Sequence, residues 1–157
     1  KSEFIHGKEI KSEIDLAGEI QEKLLHKSIP SVPHLEIIGK SKPAAEIGGD
    51  SFDVIPQGGN HYIYVGDATG HGVGAGFIMV MVNALISAFS KVTQKGNHIL
   101  TLTNEIVKPR VKANLLMSML LLRWNSEEKR MFMTGAGHEY LMIYKHAQKK
   151  CFQIKSG

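Results

Sequence analysis

The run FIMVMVNALISAF, residues 77–89, is the most apolar stretch of the chain and sets the first limit on how it folds. It is shorter than the ~18–20 residues a membrane span needs and is interrupted by Asn83, so it reads as a buried helix. The helical pattern extends from Val73 to about Lys91. A helix this apolar needs other layers to cover it.

Those layers are visible in the periodicity on either side. Upstream, LEIIGKSKP (35–43) and HYIYVGD (61–67) read as strands, with PQGGN between them as a turn. Downstream, a second helix is expected over 98–108. Four strand-like runs follow at 115–124, 129–137, 139–146 and 150–155, joined by short polar turns as an antiparallel meander. Strands, then two helices, then strands describe an α+β layered domain rather than alternating βαβ units. Near the start, Ile10, Ile14, Ala17, Ile20, Leu24 and Leu25 make one apolar stripe on a helix, stopped by Pro30 and Pro33. It fits either a core helix or the end of a coiled-coil linker from an upstream domain.

With 157 residues the chain suits one folding unit, and 43% apolar with 22% charged residues is ordinary globular composition. A net charge of +4, with no dense Lys/Arg block, permits an acidic or phosphorylated partner but gives no reason to expect nucleic acid. The single cysteine, Cys151, excludes an internal disulfide framework and fits a reducing, cytoplasmic compartment. The opening KSEFIHGKEI has neither an initiator Met nor a signal peptide, so the chain reads as cut from something longer.

The chemistry concentrates in GGDSFDVIPQGGNHYIYVGDATGHGVGAG, residues 48–76. The piece GHGVGA (70–75) matches the G-x-G-x-x-A dinucleotide fingerprint between a strand and a helix. Against that reading, Asp67 at the strand end would repel a pyrophosphate, and 87–104 contains no acid to hold a ribose. The competing reading takes Asp67 as a ligand for a hard cation, with backbone carbonyls of the glycine turn beside it. Asp50, after Gly48 and Gly49, leads into a strand next to it, so both acids could reach one end of a sheet. Turn and capping aspartates are the structural alternative.

IGGDSFDV and GDATGHGVGAG resemble the paired motifs of the SpoIIE/RsbU-like branch of the PPM (phosphatase 2C-like) serine/threonine phosphatases. EIDLAGEIQEKLL (13–25) resembles the helix before that family's core, and TGAGHEYLMIY (134–144) its later A-G-H strand. The resemblance implies two stacked antiparallel β-sheets flanked by helices, incomplete at the C-terminus, with two Mn²⁺ or Mg²⁺ ions at one end. It implies a metal-activated water that hydrolyses phosphoserine or phosphothreonine on a regulatory protein, by analogy a STAS-type anti-sigma-factor antagonist. Carried onto this sequence, it makes Asp67 the bridging ligand, the Ala68 carbonyl a ligand, and Asp50 a ligand directly or through water. Asp53 is a further metal candidate or a brace for the loop. His71 is a candidate general acid or a residue that holds the turn, and His138 reads as structural. Lys40 and Lys42 are candidates to face a substrate phosphate.

Four positions drift from the pattern: Ser51 replaces an aromatic, Ala68–Thr69 replace Val-Ser, and Glu139 replaces a proline. The larger departure is that no aspartate follows Asp67, whereas the family draws further ligands from later motifs. The expectation is therefore an N-terminal linker or regulatory helix over 1–30 and the first two-thirds of a phosphatase domain over 31–157, with little activity alone. The alternative is an inactive pseudophosphatase that binds a partner or dimerises through 10–25.

Overall fold

The computed structural model describes residues 2–25, 28–41, 47–112 and 114–156, with side chains from Gly7 onward. Helix α1 spans Ser2–Leu25. Strands β1 (Asp50–Gln57) and β2 (Asn60–Ala68) follow, then helices α2 (Val73–Phe89) and α3 (Gly96–Val107). Strands β3 (Met117–Asn125), β4 (Arg130–Ala136), β5 (Tyr140–Lys145) and β6 (Lys150–Lys155) complete the order. The α+β class and its antiparallel sheets are those expected from the sequence.

β1 to β4 form one antiparallel sheet in sequence order, and β5 with β6 a separate antiparallel pair. Two expectations are corrected here. The four downstream strands are not a continuous meander: Gly137 adopts a φ of 72° and bridges Met119, which takes the chain out of the β4 ladder before β5 begins. Residues 35–41 form no strand; Leu35 makes only an isolated bridge to Val32, and 42–46 lie outside the described residues. The strand expected to lead from Asp50 is β1, closed on β2 by Gly58 and Gly59. Both have positive φ (50° and 73°), the hairpin turn whose twist matches its strands. Pro56 is tolerated because β1 is an edge strand.

Strand alternation sends side chains to two different cores. On one face Ile55, Tyr62, Tyr64, Ala68, Met119 and Leu121 pack with Ala75, Ile78, Met79, Val82 and Ile86 of α2, Ile99 of α3 and Leu25 of α1. Both tyrosines are fully buried, among the largest apolar areas the fold removes from water. On the other face Val54 and Trp124 pack with Val32, and Trp124 Nε1 donates to the Pro33 carbonyl at 2.9 Å.

Helix α1 does not bury the whole stripe read from the sequence. Ile14, Ala17, Gln21 and Leu25 turn toward α2 and β1, whereas Ile10, Leu16, Ile20 and Leu24 are exposed. No helix of the described residues is long and apolar enough to cross a membrane.

Candidate metal centre

The β1–β2 register places Asp50 directly opposite Asp67, and the β2–β3 register places Ser118 on the other side of Asp67. The three lie on one row across the sheet, on one face, because cross-strand partners share a side. Burial and then the neighbouring Asp67 raise the Asp50 pKa above the ordinary carboxylate value, while nearby His138 opposes the shift. His138 Nδ1 lies 3.0 Å from Ser118 Oγ, so the histidine read as structural borders the acidic pair.

Two loops fix this row. Ala68 N donates to the Gly49 carbonyl at 3.0 Å, and Gly72 N donates to the Ile47 carbonyl at 3.3 Å. A β-carbon on Gly49 would lie 2.7 Å from the Ala68 carbonyl oxygen and 3.2 Å from that of Gly70. Glycine at 49 thus keeps both oxygens accessible beside Asp50. On the other side, Thr69 N donates to the Leu116 carbonyl at 2.8 Å, and Leu116 N donates to Thr69 Oγ1 at 2.9 Å. Thr69 Oγ1 also donates to the Asn114 carbonyl at 3.2 Å, fastening the turn to the segment that enters β3.

Asp53 is kept apart from this row. It lies three positions, an odd step, beyond Asp50 along β1, so its side chain projects to the opposite, helix-covered face. There Asn83 Nδ2 donates to Asp53 Oδ2 and to the Tyr64 hydroxyl, both at 2.8 Å, and Val54 N donates to Asp53 Oδ1. Burial pushes the Tyr64 phenol up, which keeps it neutral inside this network. The asparagine that interrupts the apolar run of α2 is therefore the donor that satisfies a half-buried carboxylate.

His71 is exposed between Gly70 and Gly72, both at positive φ, on the turn that leads into α2. Lys40 is exposed, and Lys42 lies outside the described residues. A crevice of about 1090 Å³ opens beside the row, bordered by Asp67, Thr69, Ser118 and Gly137 and running under α3.

Two facing carboxylates and uncovered carbonyl oxygens form a hard, oxygen-rich donor set of the kind Mg²⁺ and Mn²⁺ take, with water completing the shell. Mutual repulsion between the two acids is relieved by a cation. Among the described residues no three His, Cys, Asp or Glu side chains converge here, so the side-chain donors number two carboxylates.

The family model described as Stage II sporulation protein E (SpoIIE) matches residues 57–157. The chain belongs to the SpoIIE family. It is 25% identical over 148 residues to the phosphoserine phosphatase RsbU of Bacillus subtilis, covering 94% of this chain and 44% of that protein. It is 30% identical over 86 residues to protein IcfG of Synechocystis, covering 54% of this chain and 14% of that one. The chain thus spans less than half the length of these curated relatives. Among solved structures, the SiaA-PP2C domain of Pseudomonas aeruginosa superimposes with a TM-score of 0.75 at 19% identity, covering 97% of this chain and 62% of that one. The RsbU and RsbW domains of Rv1364c from Mycobacterium tuberculosis give 0.61 at 21% identity, covering 74% and 32%. These likenesses establish a PP2C-type fold for this SpoIIE-family chain.

Sequence reasoning missed Ser118, Thr69 and also Gln21, whose Nε2 donates to the Gly48 carbonyl at 2.9 Å while Gly48 N donates to its Oε1 at 3.1 Å. Ser118 carried a signal, as a polar residue inside the apolar run LLMSMLLL. Thr69 stood in the motif but was read as drift, since its hydroxyl pairs with a segment 45 and 47 residues away.

Proposed function

We propose that the chain carries part of a metal-dependent protein phosphatase centre that hydrolyses phosphoserine or phosphothreonine on a regulatory protein. The observation that supports it most is the facing of Asp50 and Asp67 at the open end of the β1–β2 hairpin, within a SpoIIE-family chain. In this reading Asp50, Asp67 and the Ala68 carbonyl hold Mn²⁺ or Mg²⁺. When bound, such ions lower the pKa of a coordinated water and neutralise charge on phosphoryl oxygens. Gly49 keeps the carbonyls open, Thr69 fixes the turn, and Ser118 with His138 borders the acids on the β3 side. His71, exposed on the turn, is available to donate a proton to a leaving seryl oxygen. The likeness to a phosphoserine phosphatase supports a phosphoprotein substrate, and the family resemblance suggests a STAS-type regulatory protein in a cytoplasmic signalling pathway.

With two carboxylates in the described centre, this chain should bind Mn²⁺ weakly and turn over slowly. The test is calorimetric Mn²⁺ titration of the chain and of Asp67→Ala, with phosphopeptide hydrolysis followed in parallel. Binding and any turnover should both disappear in the variant. Turnover that persists without divalent metal, or in Asp67→Ala, rejects the reading. The exposed stripe of Leu16, Ile20 and Leu24 on α1 favours a second reading, a pseudophosphatase that acts by association. A self-associating chain that binds no metal would select it.

A further inference from the structure

The crevice beside the acidic row is built like a small interface, with an apolar floor and a polar rim. Helix α3 borders it with Asn97, Leu100, Thr101, Asn104 and Val107, positions three and four apart that share one helical face. The facing wall is the segment 115–117, which enters β3. Leu100, Val107, Val111, Leu115 and Met117 are half-buried against the core and form the floor. Leu116 stands on the rim and is 65% exposed, apolar area that a ligand would remove from water.

The rim is basic. Lys108 and Lys112 border the crevice, both are exposed, and among the described residues neither makes an ion pair. The sequence holds no acid between Glu105 and Glu127, and Glu105 itself does not border the crevice. Among the described residues Asp67 is the one acid on its border, and no aromatic ring is present there to stack on a nucleobase.

The connection that carries Lys112 and Leu116 is fastened to the turn after Asp67. Thr69 Oγ1 donates to the Asn114 carbonyl at 3.2 Å and accepts from Leu116 N at 2.9 Å. A segment seated in the crevice is therefore held in register with the acidic row.

We propose that the crevice docks the substrate segment next to the phosphoserine, taking an apolar residue on its floor and an acidic residue against Lys108 and Lys112. The inference rests on the reading that Asp50 and Asp67 belong to a phosphatase centre. The volume of about 1090 Å³ exceeds the roughly 300–1,000 Å³ of small-ligand pockets, which suits a few residues of peptide. In such a site the apolar contact supplies affinity, and the rim charges select the partner.

The experiment measures binding of fluorescein-labelled peptides to the whole 157-residue chain by anisotropy. The first peptide carries phosphoserine flanked by leucine and glutamate. A second has lysine for glutamate, a third glycine for leucine, and a fourth serine for phosphoserine. Wild type should prefer the first to the second by about 10-fold at low salt. Lys108→Glu combined with Lys112→Glu should reverse that preference. Leu116→Ser should weaken the first peptide by about fivefold and leave the third unchanged. All three substituted positions are exposed, so the fold is not at stake.

Equal binding of the first two peptides, or a preference that survives the charge reversal, overturns the proposal. Failure of every peptide to bind overturns it too, and self-association abolished by Leu116→Ser would then give the crevice to a second copy. The metal reading is tested separately. Mn²⁺ should tighten the first peptide but not the fourth, and Asp67→Ala should remove that gain. If Mn²⁺ tightens neither, the metal reading fails on its own. The fourth peptide then still decides the docking: weaker binding after charge reversal supports it, and unchanged binding rejects it.

Discussion

Asp50 and Asp67 are direct cross-strand partners, and partial burial together with the Asp67 charge holds the Asp50 carboxyl above its usual pKa. Like charges placed opposite each other in a sheet cost roughly 0.2–1 kcal/mol, and the exposure of Asp50 argues for the lower part of that range. Without metal the pair opposes folding; a cation held between the acids, as proposed above, would remove that repulsion.

Asp50→Asn should therefore stabilise the metal-free protein at neutral pH, by about 1–3 °C in Tm. The sign follows from linkage. A carboxyl whose folded pKa is raised binds its proton more tightly in the fold, so wild type is favoured below 3.8, the ordinary value, and loses that advantage as pH rises through the raised one. The gain of Asp50→Asn should grow with pH over that interval and then level off. Thermal melts from about pH 3 to 8 check it, and a gain that shrinks with rising pH contradicts it.

Adding Mn²⁺ should reverse the order. A ligand that binds only the folded state raises stability with its concentration. Wild type should gain Tm through millimolar Mn²⁺, while Asp67→Asn should show no shift. Equal shifts in the two proteins would mean that the ion binds elsewhere.

The Asn83 network should behave as a brace and not as part of the centre. Asn83→Ala removes the donor to Asp53 Oδ2 and to the Tyr64 hydroxyl and leaves both acceptors half-satisfied. The expected cost is about 1–3 kcal/mol. Mn²⁺ affinity should stay within about twofold of wild type, because the sheet separates Asp53 from Asp50 and Asp67. Denaturant melts with parallel titrations read both. A tenfold loss of affinity with unchanged stability would return Asp53 to the ligand set.

Much of this was legible because it is local. The 3.6-residue period gave α1, α2 and α3, alternation gave β2 to β6, and the glycines around Asp50 and Asp67 marked a place where backbone must approach closely. What was not legible depends on pairing. The stretch 35–43 has strand composition, yet Leu35 and Ile37 are used to cover Trp124 and Val54 rather than to join a ladder. The separation of Asp53 from Asp50 turns on side-chain parity along β1, which matters only once the first strand residue is known. Gln21 looked like any polar residue on a helix, because its partner is 27 residues away.

Gly49 provides the strictest test of the geometry. Its backbone is not left-handed, so alanine meets no conformational objection there. The objection is space: the new β-carbon would sit 2.7 Å from the Ala68 oxygen and 3.2 Å from the Gly70 oxygen, both backbone atoms that cannot swing aside. Gly49→Ala must therefore move the end of β1 away from the end of β2, at a cost of about 1–3 kcal/mol, and widen the gap between Asp50 and Asp67. Mn²⁺ affinity should fall at least as far as it does on breaking an outer contact, about 10-fold. Gly74→Ala, in the first turn of α2 with nothing within 4 Å of its β-carbon, is the matched control. It should raise stability by roughly 0.5–1 kcal/mol through helix propensity and leave the metal titration unchanged. If the two alanines behave alike, the closeness of the Gly49 loop to Ala68 does not shape the site.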